Sequence, residues 1–129
     1  MNIRNYRESD FEVISSWWKD ANEIGPTKDL LPLESTFVLE INNEPKACIT
    51  VYLTNCHTIA YLENFIKDPK LENSRELTKE LVKYAEDFTH NLGYKILICF
   101  AFRDKLKNRY KELGYKNSLD NLSSFVKEL

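Results

Sequence analysis

The sequence has little of the residues that keep a chain irregular. It contains three glycines and four prolines in 129 residues, and it shows neither a repeat nor a low-complexity tract. This scarcity excludes collagen-like and Gly/Pro-rich disordered proteins. Hydrophobic residues at 43% and charged residues at 29% are typical of a globular protein. A chain of this length can bury about two thirds of its unfolded surface, and we predict a single domain over residues 1–129.

Long apolar runs are also absent. No stretch approaches the roughly 20 apolar residues that a membrane-spanning helix needs. The first ten residues, MNIRNYRESD, lack the apolar segment of a signal peptide. We therefore predict a cytoplasmic protein with no membrane partner.

Cysteine is scarce, and its spacing does not suit a metal. Cys48, Cys56 and Cys99 are an odd number without a CxxC pair, and two of them, Cys48 and Cys99, lie in apolar, strand-like runs. Buried, reduced thiols are the expected state. His57 and His90 have no metal-ligand spacing to these cysteines, and we predict no metal site.

The net charge of −2 hides an asymmetry along the chain. Residues 1–66 hold five Lys/Arg and ten Asp/Glu, whereas residues 67–129 hold thirteen and ten. The basic second half can face an anionic ligand, although a solvated surface explains the excess equally well. The excess is too small to indicate nucleic-acid binding, and no nucleic-acid partner is predicted.

Local signals predict the elements of the first half. Ser9 stands three residues before Glu12, which predicts a capping box at the start of a helix that ends near Ala21. A loop with Gly25-Pro26 follows. The segment Asn42-Asn43-Glu44-Pro45 is a hairpin signal because asparagine tolerates positive φ. The strands predicted in this half cover residues 2–6, 36–41, 46–53 and 59–66.

Helical spacing dominates the second half. Apolar residues recur at the period of a helix and stop at Gly93, and Asn73 and Glu76 can cap the start of that helix. The nearly continuous apolar run YKILICFAF, residues 94–102, predicts a central strand. A third helix is expected from Asp104 to Gly114, and residues 121–129 are predicted as a last strand. The order is β-α-loop-β-β-β-α-β-α-β, a mixed sheet with helices packed on it.

The segment RDKLKNRYKELGYK, residues 103–116, resembles the GNAT superfamily of acyl-CoA-dependent N-acyltransferases. In that family a helix with a tyrosine is followed by Leu-Gly-aromatic, matched here by Tyr110, Leu113, Gly114 and Tyr115. The motif FIKDP and the order of elements extend the resemblance over the whole chain. The chain looks most like small acetyltransferases of phage and bacterial genomes, which share its paired tryptophans and YLTN turn. The resemblance implies a GNAT-like α/β (α+β) fold, with a mixed, mostly antiparallel sheet and helices on both faces.

The resemblance also implies acetyl-CoA as cosubstrate, bound where the fourth strand leads into the second helix. Family members carry glycines in the loop at this point, but Ser74, Glu76 and Thr78 fill those positions here. Arg103 stands where the family commonly has an asparagine. The coenzyme-binding residues that the resemblance implies are Phe65, Ile66, Lys67, Asn73, Ser74, Arg75, Glu76, Leu77, Thr78 and Arg103.

A loop without glycine can still hold phosphates. They bind to backbone N–H groups at a helix N-terminus, and every residue except proline supplies one. We expect Glu76 to fold back onto the Asn73 N–H as a cap, and Arg75 to face the anion. The alternative is an ordinary capped helix that binds no phosphate.

Two residues are the predicted catalytic groups. By the resemblance, Tyr110 is the acid that protonates the leaving thiolate, and the alternative is a buried tyrosine on a core-facing helical stripe. Glu63 lies in the fourth strand, where relatives often have a carboxylate that deprotonates the amine, so the resemblance implies that Glu63 is the base. An acid within such a strand should have a partner or a role. We expect Glu63 on the same face as Tyr61 and Phe65. A solvent-facing or salt-bridged glutamate is the alternative.

Trp17 and Trp18, with the loop over residues 23–33, are the predicted acceptor-binding region, and one of the two tryptophans is expected in the core. The predicted function is transfer of an acyl group, expected to be acetyl, to a small-molecule or peptide amine. A homodimer is left open. One alternative is a degenerate GNAT-like binding or structural module that has lost coenzyme binding. Another is a partner-binding protein with an exposed apolar patch around the tryptophans.

Overall fold

The structure is a computed structural model that describes residues 1–101, 103–118 and 123–129. Its sheet has five strands that lie side by side in chain order. They are β1 (Asn2–Asn5), β2 (Thr36–Ile41), β3 (Glu44–Leu53), β4 (Ile59–Lys67) and β5 (Ile96–Cys99). Strands β1 to β4 pair antiparallel, whereas β5 runs parallel to β4. This mixed, mostly antiparallel sheet confirms the predicted fold class.

The helices lie on both faces of the sheet, as predicted. They are α1 (Phe11–Asp20), α2 (Arg75–Asn91) and α3 (Asp104–Glu112), with short 3-10 turns at Glu8–Asp10 and Lys28–Leu30. On one face, alternate residues of β2 and β3 such as Phe37 and Ile49 form a cluster with α2 residues and Tyr110 of α3. On the other face, Val38 and Cys48 pack with Ile14 and Trp17 of α1. The alternation of strand side chains thus supplies two separate cores.

The start of the first helical segment differs from the prediction. The carboxylate of Asp10 accepts a hydrogen bond from the Arg7 N–H at 2.8 Å and two from the Arg4 guanidinium at 2.8 and 2.9 Å. The three-residue spacing of a capping box is therefore met by Arg7 and Asp10, and the predicted pair of Ser9 and Glu12 is wrong. An ion pair to β1 fixes Asp10 in this role, and no local pattern reveals that pair.

The predicted hairpin is confirmed. Ile41 of β2 pairs with Glu44 of β3 across a two-residue turn, and Asn42 and Asn43 have φ of 52° and 65°. Both residues are thus left-handed, which asparagine tolerates better than other residues with a Cβ.

The predicted last strand is only partly covered by the structure. Residues 121 and 122 lie outside the described residues, and residues 123–129 belong to no strand. Upstream of them, α3 ends as predicted, because Gly114 has a φ of 91° that cannot continue a helix.

A bulge in β4 sets the geometry of the site. Thr50 pairs with Glu63 and Cys48 with Ile66, so β4 holds one residue more than β3 between these pairs. Asn64, with a φ of 57°, lies in this interval. The extra residue reverses the alternation of β4. Phe65 therefore packs with the α2 cluster, whereas Glu63 keeps the face of its partner Thr50. The expectation that Glu63 and Phe65 share a face is wrong.

Candidate active site

The candidate site begins where β4 and β5 separate. Their parallel pairing runs from Ile59–Ile96 to Leu62–Cys99. Beyond that pair β4 continues to Lys67, still bonded to β3. The last five residues of β4 thus extend past the end of β5, and the space beside them is available to a ligand.

A cavity of about 320 Å³ lies at this end of the sheet. Its volume is at the small end of the range of ligand sites, about 300–1,000 Å³. Elements from both faces contribute to it. Its lining residues are Trp17, Ala21, Phe65, Ile66, Lys67, Pro69, Ser74, Thr78, Arg103, Lys105, Leu106 and Arg109.

The polar part of this lining is cationic. Lys67, Arg103, Lys105 and Arg109 contribute four positive charges, and no Asp or Glu is among the lining residues. Burial and then the charge of Lys105 lower the pKa of Lys67, so these two ammonium groups repel each other. An anion bound between them would relieve that repulsion. The cavity is therefore suited to a negatively charged ligand.

Two of these cations already contact acidic residues outside the lining. Arg103 donates to the carboxylate of Glu23, in the loop after α1. Arg109 lies 3.6 Å from Glu112 on the next turn of α3. Both contacts are partly exposed, and such pairs contribute little to stability. An anionic ligand can therefore compete for these arginines.

The N-terminus of α2 borders the same cavity. Ser74 is the N-cap residue, and its side chain makes no capping hydrogen bond. Ser74 and Thr78 line the cavity, while Asn73 takes a left-handed φ of 51°. The first-turn N–H groups of a helix have no partner within the helix. They can therefore bind phosphate oxygens.

Two expectations about this helix start are wrong. The Glu76 side chain is 79% exposed and lies 3.9 Å from Lys79, so it does not cap Asn73. Arg75 bonds to Glu112 of α3 at 3.2 Å and is not a lining residue. The ion pair of Arg75 with Glu112 crosses the α2–α3 contact, which helical spacing within α2 does not predict. Glu76 and Lys79, in contrast, are a local i,i+3 pair within α2.

The structure brings together six of the ten predicted coenzyme-binding residues. Those that line the cavity are Phe65, Ile66, Lys67, Ser74, Thr78 and Arg103. Asn73, Arg75 and Glu76 lie outside its lining, and Leu77 packs with the core cluster on the α2 face. Sequence reasoning missed Lys105 and Arg109. Their spacing of four residues on a predicted helix, which places both on one face, was a usable signal.

Glu63 is half-buried beside the gap between the strands. Burial raises the pKa of its carboxyl group, with no other cause. Its charge in turn contributes to the raised pKa values of Cys99 and Tyr110. Glu63, Cys99 and Tyr110 therefore lie within electrostatic range of one another where β4 and β5 part. Within the described ranges, no ion pair involves Glu63.

Tyr110 is a core residue as well as a candidate acid. Its side chain is 6% exposed and belongs to the cluster on the α2 face, with its ring 5.2 Å from that of Tyr115. Burial, followed by the charges of Cys99 and Glu63, raises the pKa of its phenol. The phenol therefore stays protonated and can only donate a proton. Tyr110 does not line the cavity, but its helical neighbours Leu106 and Arg109 do.

The two tryptophans occupy different positions. Trp17 is buried in the cluster on the α1 face and lines the cavity. Trp18 is half-buried and packs on Gly25, where a Cβ would come within 2.4 Å of the indole ring. Its indole N–H is buried without a hydrogen-bond partner. Neither indole is exposed, so the tryptophan rings do not themselves form an apolar patch. Val13, Ile24 and Leu30, close to them in the chain, are exposed, and the partner-binding alternative stays a prediction.

The cysteines do not supply a nucleophile to this site. Burial raises the pKa of Cys48 to about 12 and that of Cys99 to about 11, so both thiols are protonated at neutral pH. Hydrogen bonds, first from Thr54, lower the pKa of Cys56 to about 7. Cys56 precedes β4, whereas the cavity lies at the other end of that strand, roughly 25–30 Å away at 3.3 Å per residue. The prediction of buried thiols holds for Cys48 and partly for Cys99, whereas Cys56 is exposed.

Two other kinds of site are not formed by the described residues. Among them, no group of three or more His, Cys, Asp or Glu side chains is arranged to hold a metal ion. No helix formed by these residues has the length and apolar content needed to cross a bilayer.

The fold is similar to that of several acetyltransferases. N-acetylglutamate synthase from Neisseria gonorrhoeae, solved with coenzyme A and L-arginine, matches with a TM-score of 0.79 and 13% identity over 95% of this chain. This chain spans only 29% of the length of that protein. Glucosamine-6-phosphate N-acetyltransferase from Arabidopsis thaliana matches with a TM-score of 0.70, 18% identity and 98% coverage of both chains.

A third similar structure is an aminoglycoside acetyltransferase from an uncultured soil metagenomic sample, solved with trehalose. Its TM-score is 0.71, its identity 16%, and the match covers 99% of this chain and 95% of that one. No protein-family model and no curated protein sequence matches this chain. Since the identities are this low, the comparisons establish the fold, and that fold is the one shared by GNAT acetyltransferases.

Proposed function

We propose that this chain is an N-acyltransferase that moves an acyl group, expected to be acetyl, from acyl-coenzyme A to an amine. The observation that supports it most directly is the cationic cavity beside the unpaired end of β4, which is bounded by the N-terminus of α2 and by α3. Several structures of similar fold are acetyltransferases, and the synthase from Neisseria gonorrhoeae was solved with coenzyme A.

The residues around the cavity fit the anionic part of coenzyme A. Lys67 and Lys105 repel each other across the lining and would both gain from a phosphate. The first N–H groups of α2 add hydrogen-bond donors that need no glycine. Ser74 and Thr78, whose side chains line the cavity, can donate through their hydroxyl groups. Binding therefore depends on the backbone and the lysines, and not on Arg75.

Acyl-coenzyme A supplies an activated carbonyl group. Transfer forms the amide C–N bond, breaks the thioester C–S bond, moves one proton off the amine and delivers one to the thiolate. In our proposal Glu63 accepts the first proton, because a half-buried carboxylate with a raised pKa is a stronger base than an exposed one. Tyr110 donates the second proton, since its phenol remains protonated. The amine attacks directly, and no cysteine takes part.

One observation favours the alternative of a degenerate module. Ser74 and Thr78 line the cavity at positions where GNAT enzymes have glycine, which permits close approach to a phosphate. If these side chains keep the phosphates away from the α2 N–H groups, the chain keeps the fold without binding the coenzyme.

A calorimetric titration with acetyl-CoA separates the two functions. We expect saturable heat at micromolar to sub-millimolar ligand, followed by thiol release when an amine acceptor is added. Absence of any saturable signal at millimolar acetyl-CoA would contradict the proposal and favour the degenerate module. A screen of amines with thiol detection then identifies the acceptor.

A further inference from the structure

The sheet face that carries α1 has an aromatic region near β5. Tyr52 of β3 pairs with Tyr61 of β4, and Tyr61 pairs with Ile98 of β5. Directly opposed residues of neighbouring strands share a face. These three side chains therefore form one row across the sheet, and Leu62 and Cys99 lie on the opposite face.

Phe100 and Glu63 stand at equivalent positions at the edge of this row. Glu63 lies two residues after Tyr61, and Phe100 lies two residues after Ile98. The pairing of β4 with β5 ends just before these two residues, at Leu62 and Cys99. Both therefore project from the same face, on either side of the point where the strands part. The Phe100 ring is 54% exposed and stacks on Tyr61, with 6.3 Å between ring centroids and 16° between planes.

The carboxylate of Glu63 lacks a cationic partner within the part of the chain that the structure describes. Burial alone raises the pKa of this group, and no positive side chain offsets the effect. A half-buried carboxylate without a partner costs stability. A bound cation would recover that cost.

The adjoining wall is held in place by hydrogen bonds. The Asn64 amide donates to the Tyr52 hydroxyl at 2.7 Å, and that hydroxyl donates to the Leu30 carbonyl at 2.7 Å. The bulge residue thus ties the loop after α1 to the aromatic row. Such a wall is formed before a ligand arrives, which lowers the ordering cost of binding.

We infer that this surface binds the acceptor as a primary alkylammonium ion, with its charge at Glu63 and its apolar stem on the rings of Tyr61 and Phe100. The inference rests on the proposed function: Glu63 takes the first proton of the ammonium ion before attack and releases it to solvent. The second proton leaves the nitrogen as the amide forms and restores the Tyr110 phenol that protonates the departing thiolate. Aromatic faces attract ammonium groups and cover alkyl stems. A carboxylate at the reacting end disfavours acceptors that carry an anionic group beside the amine.

The test uses three five-carbon probes that differ in charge: pentylamine, 1-pentanol and pentanoate. Binding is followed by NMR titration of the aromatic signals of Tyr61 and Phe100 at pH 7. We expect pentylamine to bind at least ten times more tightly than pentanol, and pentanoate to bind most weakly. Glu63→Gln should reduce the preference for pentylamine to within twofold. Phe100→Leu should weaken the binding of pentylamine at least threefold. Glu12→Gln, which changes an exposed glutamate on α1, should leave all three affinities unchanged.

Equal affinities for pentylamine and pentanol, or a preference that survives Glu63→Gln, would overturn the inference. Coenzyme A is titrated into the same samples. Coenzyme binding without an ammonium preference removes this inference and leaves the proposed function in place. An ammonium preference without coenzyme binding supports the site and removes the proposed acyl transfer. Nα-acetyl-lysine methylamide as a fourth probe distinguishes a peptide lysine, which it mimics, from a free alkylamine.

Discussion

Arg103, at the start of α3, donates to the carboxylate of Glu23, eighty residues earlier in the loop after α1. The contact joins two elements that border the same cavity, since Ala21 and Arg103 both line it. Glu23 therefore brings a negative charge to a site that is otherwise cationic. In our proposal this carboxylate competes with the phosphates of the coenzyme for Arg103.

Removal of that charge should tighten coenzyme binding. Glu23→Gln keeps the size of the side chain and is expected to lower the Kd for coenzyme A by roughly two- to fivefold, since a partly exposed ion pair is worth less than about 1 kcal/mol. Calorimetry at low and high salt measures the effect, which should shrink with salt. Glu34→Gln, in the same loop, is the control. An unchanged or weaker affinity would show that Glu23 does not oppose the ligand.

Lys105 is expected to bind the anion directly. Lys105→Ala should weaken the binding of coenzyme A by about five- to tenfold. This corresponds to about 1–1.4 kcal/mol, as expected of a partly exposed charge-assisted contact. It should also reduce the salt dependence of binding. Lys111→Ala removes the same charge from an α3 residue outside the cavity lining, so its affinity should match that of the parent protein. If both variants bind coenzyme A equally weakly, the net charge of the protein sets the affinity and Lys105 makes no direct contact.

The bulge at Asn64 should be sensitive to substitution. Asn64→Ala places an alanine at a φ of 57° and removes the hydrogen bond to Tyr52, and we expect a loss of about 2 kcal/mol in the free energy of unfolding. Asn64→Gly restores the backbone freedom and should lose only about 1 kcal/mol. Chemical denaturation measures both values. Equal losses would mean that the left-handed backbone carries no cost.

The sequence contains enough information to predict most of the fold. The period of α2, the strand-like runs of β2 and β3 and the Asn42-Asn43 turn are all local patterns, and each is confirmed. The bulge is different, because alternation alone does not reveal that one strand has an extra residue. An asparagine within a strand is the available signal, and its meaning depends on the pairing with β3.

The site was predictable where it depends on position along one element and unpredictable where it depends on pairs between elements. Lys67, Ser74 and Thr78 line the cavity because the end of β4 and the start of α2 border it. Arg75 turns to Glu112 and Arg103 to Glu23. Such contacts between surface charges of distant segments leave no pattern in the sequence.

Glu63 should lower stability at neutral pH. Burial raises its pKa in the folded state, so folding favours the protonated form. The free energy of unfolding of the parent protein should therefore fall as the pH rises, first past the pKa of the unfolded state and then past that of the folded state. Glu63→Gln removes this dependence. We expect the variant to be more stable than the parent at pH 7, with the difference vanishing below about pH 4, where the carboxyl group is protonated in both states. Urea denaturation at pH 3.5, 5 and 7 measures it. A constant difference across this range would contradict the cause assigned to the pKa.

Substitution of Tyr110 distinguishes its two roles. Tyr110→Phe keeps the ring in the core and removes only the phenolic hydroxyl, so stability should change by less than about 1 kcal/mol. If the phenol is the acid, kcat should fall by about 100-fold, while KM for the amine stays close to the parent value. If the variant has the same kcat as the parent, Tyr110 acts only as a core residue.

The bulge in β4 also bears on how two ligands share the protein. It turns Phe65 into the cavity lining and leaves Glu63 outside it, and neither Glu63, Tyr61 nor Phe100 is among the residues that line the cavity. The coenzyme cavity and the ammonium surface therefore use different side chains. Neither ligand then has to leave before the other arrives. In a steady-state analysis this predicts intersecting rather than parallel double-reciprocal lines, and a non-reactive coenzyme A analogue should not compete with the amine.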